Sequence, residues 1–283
     1  MKLNYKRTIF VGFAFFLICT FWNAYDTIIP KILTDKFGMT QANSGIIMAL
    51  DNVLALFMLP LFGTISDKCR HKLGRRTPFI LFGTIVAAIM LVVLSFVDNQ
   101  QLKNIEAVAK IDDPAALEAL YDAEQDATIQ TPDGQQVVLK DKFTKEAFAA
   151  IESQRVDPAT GKKSTNPDYS NYVVPARQLY ARQATKDNPR TLILFIAVLL
   201  IILIAMATFR SPAVALMPDV TMKPLRSKAN AIINLMGTAG GMIVLVLGMV
   251  LATGAVKNSL MSYTVFFGIV AAVMLVALVI FRL

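Results

Sequence analysis

Six apolar runs of about twenty residues each decide what this chain can fold into, because a helix of that length crosses the hydrocarbon layer of a bilayer. They cover residues 8–29, 45–62, 77–97, 191–209, 229–253 and 261–281 of 283. With 55% hydrophobic residues, one aqueous core would leave large apolar surfaces wet. Lipid offers backbone groups no hydrogen bonds, so each segment must satisfy its own, which selects helices. The expected fold class is an all-α membrane protein with six transmembrane helices. The first run is a true span rather than a signal peptide: it is long, it carries Trp22, Asn23 and Asp26, and no small-residue cleavage pattern follows.

Loop charge orients the spans. With the long segment 98–190 set aside, thirteen Lys and Arg fall on one side of the bilayer and only Lys31, Lys36 and Lys257 on the other. The basic side is expected to be cytoplasmic, with both termini there and the chain a multi-pass protein of the plasma (cytoplasmic) membrane. The net charge of +8 is thus a topology signal with some attraction to anionic lipid, and no nucleic-acid module is present. Cys19 and Cys69 fall too far apart along the membrane normal to pair. His71 is the only histidine, and no cofactor, metal site or catalytic triad can be assembled from this inventory. An enzyme is not expected.

Residues 98–190 hold 15 of the 20 acidic residues and are expected to form a small, partly ordered extracytoplasmic insertion. Asp113-Pro114 opens a helix running toward Asp126, Thr144 opens a second, the TPDG turn at 131–134 leads into a strand, and the turn-rich stretch from 157 is expected to be mobile. The insertion separates spans one to three (1–97) from spans four to six (191–283), as at the joint between two inverted three-helix units.

Residues 63–79 read GTISDKCRHKLGRRTPF, a charged hairpin between the second and third spans. Gly63, Asp67, Lys68, Gly74, Arg75 and Arg76, followed by Pro78 and Phe79, resemble the signature loop of the major facilitator superfamily. The five residues between Lys68 and Gly74 are similar to the longer form of the sugar-cation symporter branches, the glycoside-pentoside-hexuronide and sucrose-proton types. The stretch 210–231, with Arg210, Pro212, Asp219 and Arg226, resembles the loop between spans four and five of those branches. The resemblance implies one facilitator-type bundle with a 3+3 inverted repeat, the amino-terminal half of a twelve-span secondary transporter for a sugar-like solute. The other half would come from a second chain or a second copy, or the sequence is a truncated product of a longer one. On physical grounds Gly63 allows close helix approach, while Asp67, Arg75, Arg76, Arg210, Asp219 and Arg226 are expected to form a cytoplasmic gate of paired charges.

Ionisable residues within spans are costly and mark pathways. Asp26 and Asp51 qualify, and with Trp22, Asn23, Tyr25, Asn52 and Asn234 they are the expected substrate or cation pathway. Ala55 and Leu59 stand where the melibiose-type symporters carry carboxylates, so their sodium site is not carried over and a proton is the expected coupling ion. Gly237 and Gly241 have the spacing of a helix-packing face. A rival reading is a non-transporting scaffold or receptor whose cap binds a partner.

Overall fold

A computed structural model describes residues 3–156 and 161–282. Six helices in it are long and apolar enough to cross a membrane: Tyr5–Lys36, Gln41–Lys68, Thr77–Asn104, Arg190–Val220, Lys223–Val250 and Thr264–Arg282. Asn4 starts the first by accepting a hydrogen bond from the Arg7 amide, and Pro78 sits in the first turn of the third, where its missing N–H costs nothing. The first helix ends in a π-helical turn, Ile32–Lys36. The second is broken at Ala49 into Gln41–Met48 and Leu50–Lys68, which places Asp51 in the first turn of the longer piece.

The packing follows a symmetric plan. The first helix lies against the fifth and sixth, the fourth lies against the second and third, and the third and sixth touch each other. Exchanging helices one to three for four to six maps this set of contacts onto itself, as expected of two three-helix units in inverted orientation. One apolar core fills the bundle, with Phe21, Tyr25, Ile28, Phe195, Phe209, Phe266 and Phe267 among its largest members. The second and fifth helices contribute little to it. No residue in the most apolar stretch of the second helix is buried, against 61% in the first. Their outward face mixes Leu56, Phe57, Leu245 and Met249 with Asn52, Asn234 and Thr238.

The insertion is ordered around a second core of Leu117, Leu120, Tyr121, Leu139, Phe148, Tyr169 and Val173. Its elements include helices Pro114–Glu124 and Lys145–Ala149, capped by Asp113 and Thr144. They also include the antiparallel hairpin of β1 (Thr128–Gln130) and β2 (Gln136–Val138), closed by Gly134 at φ +82°. A second small hairpin pairs β3 (Gln154–Val156) with β4 (Lys163–Thr165).

Three sequence expectations are corrected here. The third helix continues past Val97 to Asn104, so Asp98 lies in a helix and is fully buried instead of in water. The cap is more ordered than its composition implied, because a helix over Val174–Asp187 docks it onto the bundle. The turn-rich stretch expected to be mobile includes residues 157–160, which lie outside the described residues; beyond them it forms β4 and a π-helical turn, Tyr169–Val173.

Candidate functional site

The middle of the bundle holds a narrow cavity shared by three helices. Trp22 from the first, Asp51 from the second and Arg210 from the fourth line it with Leu54, Ala55, Leu59, Leu203 and Ala207. The Arg210 guanidinium carbon lies 5.3 Å from the centre of the Trp22 ring, a cation–π contact. Trp22 stands edge-on to both Phe21 and Tyr25 at 5.3 Å, which fixes its plane. The Trp22 Nε1 and the Tyr25 hydroxyl are buried with no hydrogen-bond partner among the described residues. Asn52 donates to Asp51 Oδ1 at 2.8 Å, which orients that carboxylate. Asp26 lies one turn beyond Trp22 on the more exposed side of the first helix, within electrostatic reach of Asp51. Lys31 does not pair with Asp26; it donates to the Thr253 carbonyl.

Ala55 and Leu59 do face this cavity. Both positions are apolar, and Asp51, one turn before Ala55, is the carboxylate among the residues that line the cavity.

A second, open groove of about 480 Å³ runs along the first and fifth helices, lined by Cys19, Asn23, Asn234, Gly237, Thr238 and Gly241. Its floor depends on glycine. A Cβ on Gly237 would lie 2.9 Å from Cys19 Sγ, one on Gly241 2.6 Å from Asn23 Nδ2, and one on Gly240 2.6 Å from the Phe16 carbonyl. Gly240, not singled out from the sequence, makes the tightest backbone approach of the three; the doubled glycine at 240–241 was its only signal.

At the basic end of the bundle Arg76 is the hub. Its Nη2 donates to Asp67 at 2.7 Å, its Nε to Asp219 at 2.6 Å and its Nη1 to Ser66 Oγ at 3.0 Å, while Arg75 reaches Asp219 at 3.4 Å. A guanidinium satisfies all three acceptors because its donors radiate in a rigid plane. Gly74 holds φ +99° in the preceding turn, a region that favours glycine. Gly63 allows the second and fourth helices to meet, since a Cβ there would lie 3.0 Å from Ser211 Oγ. Lys68 is exposed at the end of the second helix, and Pro212 is buried within the fourth.

Two members of the expected gate lie elsewhere. Arg210 is nine residues before Asp219 on one continuous helix, about 13 Å away along its axis, and joins Trp22 instead. Arg226 donates to the carbonyls of Pro218 and Thr221, capping the end of the fourth helix rather than pairing with Asp219.

The opposite end holds a pair that the sequence did not announce. Lys36 Nζ sits 2.7 Å from both oxygens of Asp98 and from the Met261 carbonyl, and 4.5 Å from the centre of the Tyr263 ring. This ties together the first helix, the third and the start of the sixth.

Residues 10–103 match the family model described as MFS/sugar transport protein. The first three spans are facilitator-like. Two relatives agree: a sucrose transport protein of Oryza sativa subsp. indica and one of Arabidopsis thaliana, each 37% identical over 67 residues. The aligned part is 24% of this chain and only 13% and 11% of those proteins. No solved structure matches the chain. The resemblance carried by the Gly63–Phe79 hairpin is thus borne out over the facilitator-like helices, and the chain spans a small part of the length of the relatives it matches.

Proposed function

We propose that this chain is one six-helix bundle of a secondary transporter that moves a sugar or similar polyhydroxylated solute, coupled to a proton, across the cytoplasmic membrane with both termini inside. One observation carries the reading: Trp22, Asp51 and Arg210 converge from three helices on one cavity. It supplies a carboxylate, a guanidinium and an indole N–H, which between them offer donors and acceptors to hydroxyl groups.

Asp51 is the proton carrier in this reading. Asp51 and Arg210 line the same cavity, so neutralising Asp51 by protonation leaves a solute hydroxyl to accept from Arg210 there. Proton and solute then favour each other's binding, the linkage that symport requires. The Arg76 clasp holds the cytoplasmic end of the bundle closed, and its separation from Asp67 and Asp219 opens that end. The exposed face of the second and fifth helices, with Asn52, Asn234 and Thr238 on it, is where a second six-helix bundle or a second copy completes the path, because polar side chains facing lipid are costly.

Proteoliposomes test this directly. Protein reconstituted with whatever bundle completes it should accumulate labelled sucrose when an inward proton gradient is imposed. Asp51→Asn should abolish accumulation and leave sucrose exchange measurable. Accumulation that persists in Asp51→Asn would remove the proton role, and absence of any sugar exchange by the assembled transporter would remove the transport reading.

A further inference from the structure

A cavity outside the bundle lies between the cap and the first connection of the bundle. Its volume is about 640 Å³, within the ~300–1,000 Å³ typical of small-molecule sites. The floor is the end of the first helix and the start of the second, including Gln41; one wall is the cap helix Val174–Asp187, with Gln178 and Arg182; the roof is the β1–β2 hairpin, with Thr128, Gln130 and Gln136. Four of the lining side chains are glutamine amides and three are threonine hydroxyls, with one guanidinium and no carboxylate.

That inventory selects its ligand. Amides and hydroxyls both donate and accept, as solute hydroxyls do, whereas a cation would require acidic groups and a flat hydrophobe would require aromatic walls. Gln130 and Gln136 face each other across the hairpin, so their amides project as a pair.

The walls are fixed before any ligand arrives. Gln178 Nε2 donates to Asp35 at 3.1 Å, Arg182 Nε donates to the Gly38 carbonyl at 3.0 Å, and Thr185 Oγ1 donates to the Phe37 carbonyl at 3.2 Å. Gly38, at φ +64°, lets the cap helix come so close that a Cβ would lie 2.2 Å from the Gln178 carbonyl. A pocket whose walls need no ordering loses less affinity to entropy.

We infer that this cavity is a binding site for a neutral polyhydroxylated molecule of disaccharide size, held outside the bundle by the amides of the cap. Gln41, on its floor, begins the short helical piece that leads, across the break at Ala49, into the piece that carries Asp51 ten residues later. A sugar captured here is staged over the path. That staging role rests on the transport reading above, and the binding itself does not.

The test uses the full chain in detergent with Thr128→Cys, and follows maleimide modification at residue 128 by peptide mass. Sucrose, maltose and melibiose are titrated separately, with glycerol at equal osmolality as control. At least one disaccharide should slow modification severalfold and saturably while glycerol does not. Adding Gln130→Ala with Gln136→Ala, both on exposed hairpin positions, should raise the sugar concentration needed at least tenfold. Adding Asp51→Asn should leave protection unchanged. Protection by none of the three sugars, equal protection by glycerol, or protection lost with Asp51→Asn and kept without the two glutamines would each overturn the site. Protection retained by a protein that fails the transport test would leave this site standing and the transport reading fallen.

Discussion

Lys36 and Asp98 lie 2.7 Å apart with neither side chain exposed, joining the end of the first helix to the third. A buried pair balances a large desolvation cost against mutual attraction, so removing one partner is far worse than removing both. Asp98→Asn alone should cost about 3–5 kcal/mol and lower the unfolding temperature in detergent. Lys36→Met combined with Asp98→Leu should recover most of that loss. Equal damage from single and double variants would contradict the pairing.

Arg76 holds two carboxylates and a serine with one planar group. Lysine keeps the charge and loses the fork, so Arg76→Lys should weaken the clasp by about 1.5–3 kcal/mol, the worth of a hydrogen bond to a charged group. Asp67→Asn and Asp219→Asn should each lower sucrose exchange, and a double-mutant cycle of either with Arg76→Lys should show strong coupling. Additive effects would mean that the clasp is not a unit.

Gly240 passes against the Phe16 backbone, and there is open space beside Gly268 in the sixth helix. Gly240→Ala should therefore destabilise the bundle by about 1–3 kcal/mol, the typical cost of overpacking, while Gly268→Ala should be neutral or mildly stabilising. Thermal unfolding of the two variants side by side separates steric cost from any general effect of adding a methyl group.

Glu124, at the end of a cap helix, is buried, and burial pushes its carboxyl above the ordinary value of 4.5. A folded-state value above the unfolded one means that the folded cap binds the proton more tightly. Its contribution is thus fully present below the ordinary value and is lost as pH rises through the raised one. Glu124→Gln should flatten this part of the pH dependence and raise the unfolding temperature at neutral pH. A steeper pH dependence, or a fall in stability at neutral pH, would show that the carboxylate has a stabilising partner.

Hydropathy made the six spans legible, yet it misplaced their ends. It registers lipid contact only, whereas the third helix continues to Asn104 and the fourth to Val220 on protein contacts. Arg210 reads as a membrane boundary because a charge follows an apolar run; the apolar residues Ala213–Met217 after it were the available sign that the helix continues. The clasp of Asp67, Arg76 and Asp219 was foreshadowed by residue type and spacing, but its geometry required knowing which helices meet. Lys36 and Asp98 are 62 residues apart in the chain, and nothing in local pattern joins them. The cap helix Val174–Asp187 escaped notice because it docks through Gln178, Arg182 and Thr185 rather than through an apolar stripe.

Trp22 is the only tryptophan in the chain, and it stands in the central cavity under Arg210, so its intrinsic fluorescence reports on that cavity alone. Titrating the purified protein with sucrose and related disaccharides should give a saturable change in this emission, weakened at least tenfold by Arg210→Lys and kept in Asp51→Asn, whose amide stands in for the protonated carboxyl. Emission indifferent to every sugar, a response that survives Arg210→Lys unchanged, or one that is lost with Asp51→Asn would contradict the assignment of Trp22, Asp51 and Arg210 to the solute path.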